Sequence, residues 1–218
     1  MDRFLDIFQL THRVIIARSF QFYLKLVKLT STFYTNNISS LIKEIEQGLS
    51  VVYAIWHCES VLHLLLPCRL KTYAFFTGHS AADLYARLVS DLGYTLLRPS
   101  GENGMQRQIL MAKDILLTPG KVIGIAVDGP FGPSRVAKHG AAMLANLSGA
   151  PIIPFHCKAR YTWTKKKTWD NRLYPCLFNE FIFLNGPPIN IGPEATTKEI
   201  DDATLHLQSE LNKLCKRA

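Results

Sequence analysis

The chain has 218 residues, 48% of them hydrophobic, enough for one domain with a sizeable core and too few for two independent ones. Its net charge of +8 and pI near 9.3 favour an anionic partner: a membrane surface, a phosphorylated substrate or nucleic acid. Five scattered cysteines make neither a disulfide framework nor a CxxC pair, which suits a reducing compartment.

The start, Met1-Asp-Arg-Phe4, lacks a charged opening followed by an unbroken apolar region, so no secretory leader is expected. No apolar run reaches the roughly 20 residues of a spanning helix. Residues 4–34 nevertheless place Phe4, Ile7, Phe8, Val14, Ile15, Phe22, Leu26 and Leu29 at helical spacing, interrupted by Arg13, Arg18, Lys25 and Lys28. Two readings stand side by side: an amphipathic helix on an anionic membrane, or a helix packed on its own domain. The division expected is an N-terminal helical segment, 1–35, and an α/β domain, 36–218.

Within that domain, strands and helices alternate. A helix over 37–48 ends at Gly48. A strand then runs from Val51 into Trp56-His57, where apolar sequence gives way to polar chemistry. A helix over 59–66 stops at Pro67. A strand over 72–76 leads to Thr77-Gly-His79, a helix over 81–92 to Gly93, and a short strand over 94–97 to Arg98-Pro-Ser100. A helix over 105–117 precedes a buried strand over 122–127. That strand runs into Asp128-Gly-Pro-Phe-Gly-Pro-Ser-Arg135, then a small-residue helix over 140–148. Strands over 150–157 and 178–184 and an amphipathic helix over 201–213 close the chain. The pattern predicts a single α/β domain with a largely parallel, mixed sheet flanked by helices.

Ligands of open α/β sheets sit at the carboxyl ends of strands, and two strands here end in chemistry. His57 is a candidate general base, although a histidine that merely begins a helix reads the same way. In the Asp128 loop, Gly129 and Gly132 admit backbone angles other residues resist, and Pro130 and Pro133 stiffen the turn. Arg135 and Lys138, with the amides of the following helix, would favour an anion.

Taken in order, these segments resemble a family. Ala54-Ile-Trp-His57, Thr77-Gly-His79, Leu92-Gly-Tyr-Thr-Leu-Leu-Arg98-Pro-Ser100, Val127-Asp-Gly-Pro-Phe-Gly-Pro133, Ser148-Gly-Ala-Pro-Ile-Ile-Pro154, Thr168-Trp-Asp170 and Gly186-Pro-Pro-Ile189 are similar to motifs of the lysophospholipid acyltransferase superfamily. Within it they resemble the branch known as domain of unknown function 374. The resemblance implies a glycerol-3-phosphate acyltransferase-like fold and an O-acyltransferase. The acyl chain would come from an acyl carrier protein or acyl-CoA thioester and go to a hydroxyl of a phosphorylated lipid, either a lipid A precursor or a lysophospholipid. It implies His57 as base, with Arg98, Ser100, His79, Gly129, Pro130, Gly132 and Arg135 around the substrate, no cofactor, and a peripheral place on the cytoplasmic face of the inner membrane.

One departure bears on mechanism. The superfamily places an acid in a His-x4-Asp/Glu pattern, and this chain has Leu62 there. The carboxylate that orients His57 must come from elsewhere: Glu59 is nearest in sequence, while Asp83 and Asp128 stand at neighbouring strand ends. Leu62 also keeps open a non-catalytic lipid-binding protein on the same fold. Cys58, beside the base, is read as a buried small hydrophobe rather than a nucleophile. His57, Glu59, His63, His79 and His156 match no common zinc spacing, so no metal is expected. The basic and aromatic run from Lys158 to Trp169 reads as a solvated hairpin, as an interfacial contact or as a nucleic-acid surface; a lipid acceptor favours the interfacial reading and no nucleic acid.

Overall fold

The computed structural model describes residues 2–66, 70–76, 83–98 and 104–217. Its centre is set by three apolar strands, β2 (Val51–Ile55), β5 (Val122–Ala126) and β6 (Ile152–Ala159). Because successive strand residues face opposite ways, β2 divides the core in two. Val51 and Ile55 pack on one face, with Leu24 and Val27 of α1 (Asp2–Thr30), Leu41 and Ile45 of α2 (Ser39–Glu46), Val61 and Leu62 of α3 (Ser60–His63), and Leu88 and Val89 of α4 (Asp83–Asp91). Val52, Ala54 and Trp56 pack on the other, with Ala112 and Leu116 of α5 (Gly104–Leu116), Ala141, Ala142, Leu144 and Ala145 of α6 (Gly140–Ser148), and Leu207 and Leu211 of α7 (Thr197–Arg217). The alanines of α6 let that helix lie close beneath the sheet.

The sheet has seven strands in the order β1-β9-β6-β2-β5-β3-β4, with β1 (Thr32–Tyr34), β3 (Thr72–Phe75), β4 (Thr95–Leu97) and β9 (Glu180–Asn185) completing it. All neighbouring pairs are parallel except β6 with β9. This is the expected single α/β domain with a largely parallel, mixed sheet. A two-stranded hairpin of β7 (Thr162–Thr164) and β8 (Leu173–Pro175) rises from the end of β6. The basic and aromatic run thus forms a hairpin, with Trp163 stacked on Tyr174 at 4.2 Å.

Two sequence expectations change. The helical reading of 4–34 ends early, at Thr30, and Thr32–Tyr34 forms an edge strand parallel to β9. The β-branched and aromatic run Thr32-Phe-Tyr34 favours extended backbone, and Phe33 stacks on Phe181 at 5.0 Å. The tail of the segment drawn as 1–35 therefore belongs to the sheet. One side of α1 packs on its own domain, with Gln21, Leu24 and Val27 buried, and Ile15, Ile16, Phe22 and Leu29 are exposed on the other. Its inner side is fastened by Gln21 to Asp91 and by the Tyr23 hydroxyl to the Pro175 carbonyl. Among the described residues no helix is long and apolar enough to cross a membrane.

Phe181 is fully buried and joins β1 to β9. Phe181→Ala is expected to cost about 3–5 kcal/mol, read as a lowered midpoint in denaturant unfolding.

Candidate functional site

Parallel pairing brings the carboxyl ends of β2 and β5 side by side, Ile55 opposite Ala126. After β2 the chain turns into a short 3-10 turn, His57–Glu59, whose first amides lack partners within the turn. Asp128 answers one of them: it is fully buried, and its Oδ1 accepts the His57 N–H at 2.8 Å. Its Oδ2 accepts the Arg135 N–H at 3.1 Å, closing the Gly/Pro loop on itself. Burial pushes the Asp128 carboxyl up, and these backbone donors hold it down in part. Asp128 therefore holds the main chain of His57 and does not touch its ring.

The acid on the ring is Asp170, which follows the β7 strand. Its Oδ2 lies 2.8 Å from His57 Nδ1, and Arg172 Nε donates to the same oxygen at 3.0 Å. Asp170 is buried; burial acts to raise its carboxyl, and the partners Thr168, Arg172 and His57 bring it below the ordinary value. An ionised carboxylate needs a donor, so it selects the tautomer with the proton on Nδ1 and leaves the lone pair on Nε2. Nη2 of Arg172 lies 2.9 Å from Nδ1 and 3.2 Å from Nε2. Trp169 stacks on the imidazole at 5.0 Å, tilted by 22°. Burial first, then the Arg172 charge, lower the His57 pKa, against the opposing pull of Asp170 and Asp128. The side chain keeps 19% of its surface open. A neutral imidazole, held by a carboxylate and partly open to solvent, is equipped to take a proton at Nε2 once Arg172 Nη2, 3.2 Å away, gives way.

Gly132 makes this packing possible. It has φ of +72°, and a Cβ there would stand 2.6 Å from the Trp169 ring. Gly132→Ala is expected to push Trp169 off His57, read as altered Trp169 fluorescence and a stability lowered by about 1–3 kcal/mol in denaturant unfolding.

Of the other acids named from sequence, Glu59 turns away. A 3-10 turn advances about 120° per residue, so two positions past His57 a side chain faces elsewhere. Glu59 meets His156 Nδ1 at 2.9 Å and the Cys157 N–H at 3.3 Å, in the core. Burial works to raise its carboxyl, but His156 and His63 hold it down to about 2. It is no partner for the His57 ring, which corrects the expectation from nearness in sequence. Asp83 opens α4, and its side chain, like His79 and Ser100, lies outside the described residues. Cys58 is buried, and burial followed by the Glu59 charge pushes its thiol up to about 12, far from a nucleophilic thiolate.

The cations divide. Arg98 leaves β4, three strands from β2 along the same carboxyl edge, so about 14 Å separates the two strand ends. Arg135 and Lys138 are exposed on the Asp128 loop, with the Lys138 chain lying against Gly129 and Pro130 half-buried between. Arg172, touching the ring, was not singled out from sequence. Nor was Asp170 given a role, although Thr168-Trp-Asp170 had been matched to a motif; an acid beside a tryptophan in a basic run was the available signal.

Fold and site together define an α/β protein with a histidine–carboxylate pair at the carboxyl edge of its sheet. The chain matches no protein-family model and no curated protein. Among solved structures it is similar to the 1-acyl-sn-glycerophosphate acyltransferase of Thermotoga maritima, with 11% identity and a TM-score of 0.49 over 94% of this chain and 82% of that one.

The His57 ring is expected to titrate below 6.5, the ordinary value, in an NMR pH titration. Its base form then persists to lower pH than a free imidazole's. Arg172→Met removes a like charge and frees Asp170, so the midpoint should move upward.

Proposed function

We propose that this chain is an acyltransferase in which His57 is the general base and Asp170 orients it. The observation that carries the reading is the 2.8 Å contact between Asp170 and His57 Nδ1 at a strand end, with Nε2 left as the acceptor. It supplies the carboxylate that Leu62 cannot, since Leu62 is a fully buried core residue. The lipid-binding alternative rested on that missing acid and has no separate observation in its favour.

In the proposed reaction Nε2 removes the proton from an acceptor hydroxyl as its oxygen bonds to the thioester carbonyl carbon. Collapse of the tetrahedral adduct breaks the carbon–sulfur bond, and the imidazolium returns its proton to the departing sulfur. Asp170 stabilises the imidazolium between these steps. Direct transfer is supported by the raised thiol of Cys58. The exposed Arg135 and Lys138 suit an acceptor phosphate, with Arg98 further along the edge in the same role, and by the resemblance His79 and Ser100 also serve the substrate. The motifs support membership of the acyltransferase superfamily and its domain of unknown function 374 branch. By the same motifs the donor is an acyl carrier protein or acyl-CoA thioester. The acceptor is a lipid A precursor or a lysophospholipid. The basic charge and the exposed Ile15, Ile16, Phe22 and Leu29 of α1 support a peripheral site on the cytoplasmic face of the inner membrane.

Lipid mass spectrometry of cells with and without the gene should show one lipid class changed by the mass of one acyl chain. With that lipid in a purified assay, His57→Ala is expected to lose about 10²–10⁴-fold in rate and Asp170→Asn a comparable amount, with folding intact. Unchanged transfer by His57→Ala would sink the general-base assignment.

A further inference from the structure

Behind the His57 turn, on its buried side, lies a second cluster that acyl transfer does not use. Glu59 Oε2 is 2.9 Å from His156 Nδ1. Cys215 Sγ, from the last turns of α7, is 3.6 Å from that same Nδ1 and 3.6 Å from Glu59 Oε1. The three donor atoms all lie within 4.8 Å of one another.

Carboxylate and thiol thus approach one ring nitrogen. A nucleophilic triad would engage opposite nitrogens of the ring, so this arrangement is not a relay. Donor atoms that converge on a point suit a cation. His63 stands beside the cluster: its Nε2 pairs with Glu59 Oε2 at 3.5 Å, and its Nδ1 meets the Tyr53 hydroxyl.

We propose that Glu59, His156 and Cys215 bind one zinc ion. One thiolate, one carboxylate and one neutral imidazole are ligands zinc favours. Their two negative charges cancel those of the ion, so the loaded cluster is neutral, as a buried site requires. Zinc bonds of about 2.0–2.3 Å give a tetrahedron with edges of roughly 3.3–3.6 Å, near the spacings above. On binding, Cys215 loses its thiol proton and His156 the proton on Nδ1, both to solvent, and the sulfur and the nitrogen bond to zinc. Cys215 is half-buried, which leaves a way in past the end of α7. With three protein ligands, the ion takes a solvent molecule in its fourth position. It bolts α7 to β6 and to the turn that carries His57. The site does not depend on the acyltransferase reading.

The test uses the full chain, stripped with a chelator and titrated with cobalt(II) and then zinc. One cobalt per chain should bind, with tetrahedral visible bands and a thiolate-to-cobalt band that zinc abolishes. Cys215→Ser should lose the thiolate band and weaken zinc binding more than about 100-fold, beyond the roughly 10–100-fold of an outer-shell change. Cys176→Ser should behave as wild type. X-ray absorption of the zinc-loaded wild type should find one sulfur and three nitrogen or oxygen neighbours, a result that needs no variant to fold. Wild type that binds neither metal, zinc with no sulfur neighbour, or a Cys215→Ser protein with undiminished affinity overturns the proposal.

Discussion

The buried carboxylate of Asp128 is the constraint on which the site depends. Two strands end side by side, and each releases a chain that must turn in its own direction. Asp128 takes an amide hydrogen from each turn, from His57 at 2.8 Å and from Arg135 at 3.1 Å. A charge desolvated to this degree is tolerated only because backbone donors surround it. The same bonds fix the direction in which the His57 side chain leaves the strand end. The geometry of the site is thus set by main-chain bonds before any side chain touches the ring.

On that footing the ring itself is governed by groups from a different part of the fold. Trp169, Asp170 and Arg172 sit between β7 and β8 and come down over the strand end. The two charges have opposite effects on the imidazole: Asp170 favours the cation, Arg172 and burial favour the neutral base. The balance falls on the neutral side, with the carboxylate still in contact with Nδ1. Gly132 is what lets the aromatic wall come close enough, so the proline-rich loop and the hairpin are fitted to each other.

Much of the scaffold was legible because its signals are local. Alternating strands and helices, the apolar runs of β2, β5 and β6, and the small residues of α6 each follow from composition over a few turns. His57 and Asp128 were legible because strand ends are where such sheets keep their chemistry. The pairing of His57 with Asp170 was not, because the two are 113 positions apart and nothing local couples them. Nearness in sequence pointed to Glu59, and the tight turn sent that side chain to the opposite side. The edge strand β1 was hidden for a similar reason: three residues after a long helix acquire extended backbone only by pairing with β9, far along the chain.

The hairpin's place in the chain has a consequence for synthesis. A polypeptide emerging from the ribosome has its histidine, both turns and most of the parallel sheet long before residue 170 exists. Until β8 follows β7 and closes against Tyr23 of the first helix, the imidazole stands without the carboxylate that aims it. The His57–Asp170 pair therefore forms only once nearly four-fifths of the chain has been made, with one late, small element rather than with the body of the fold.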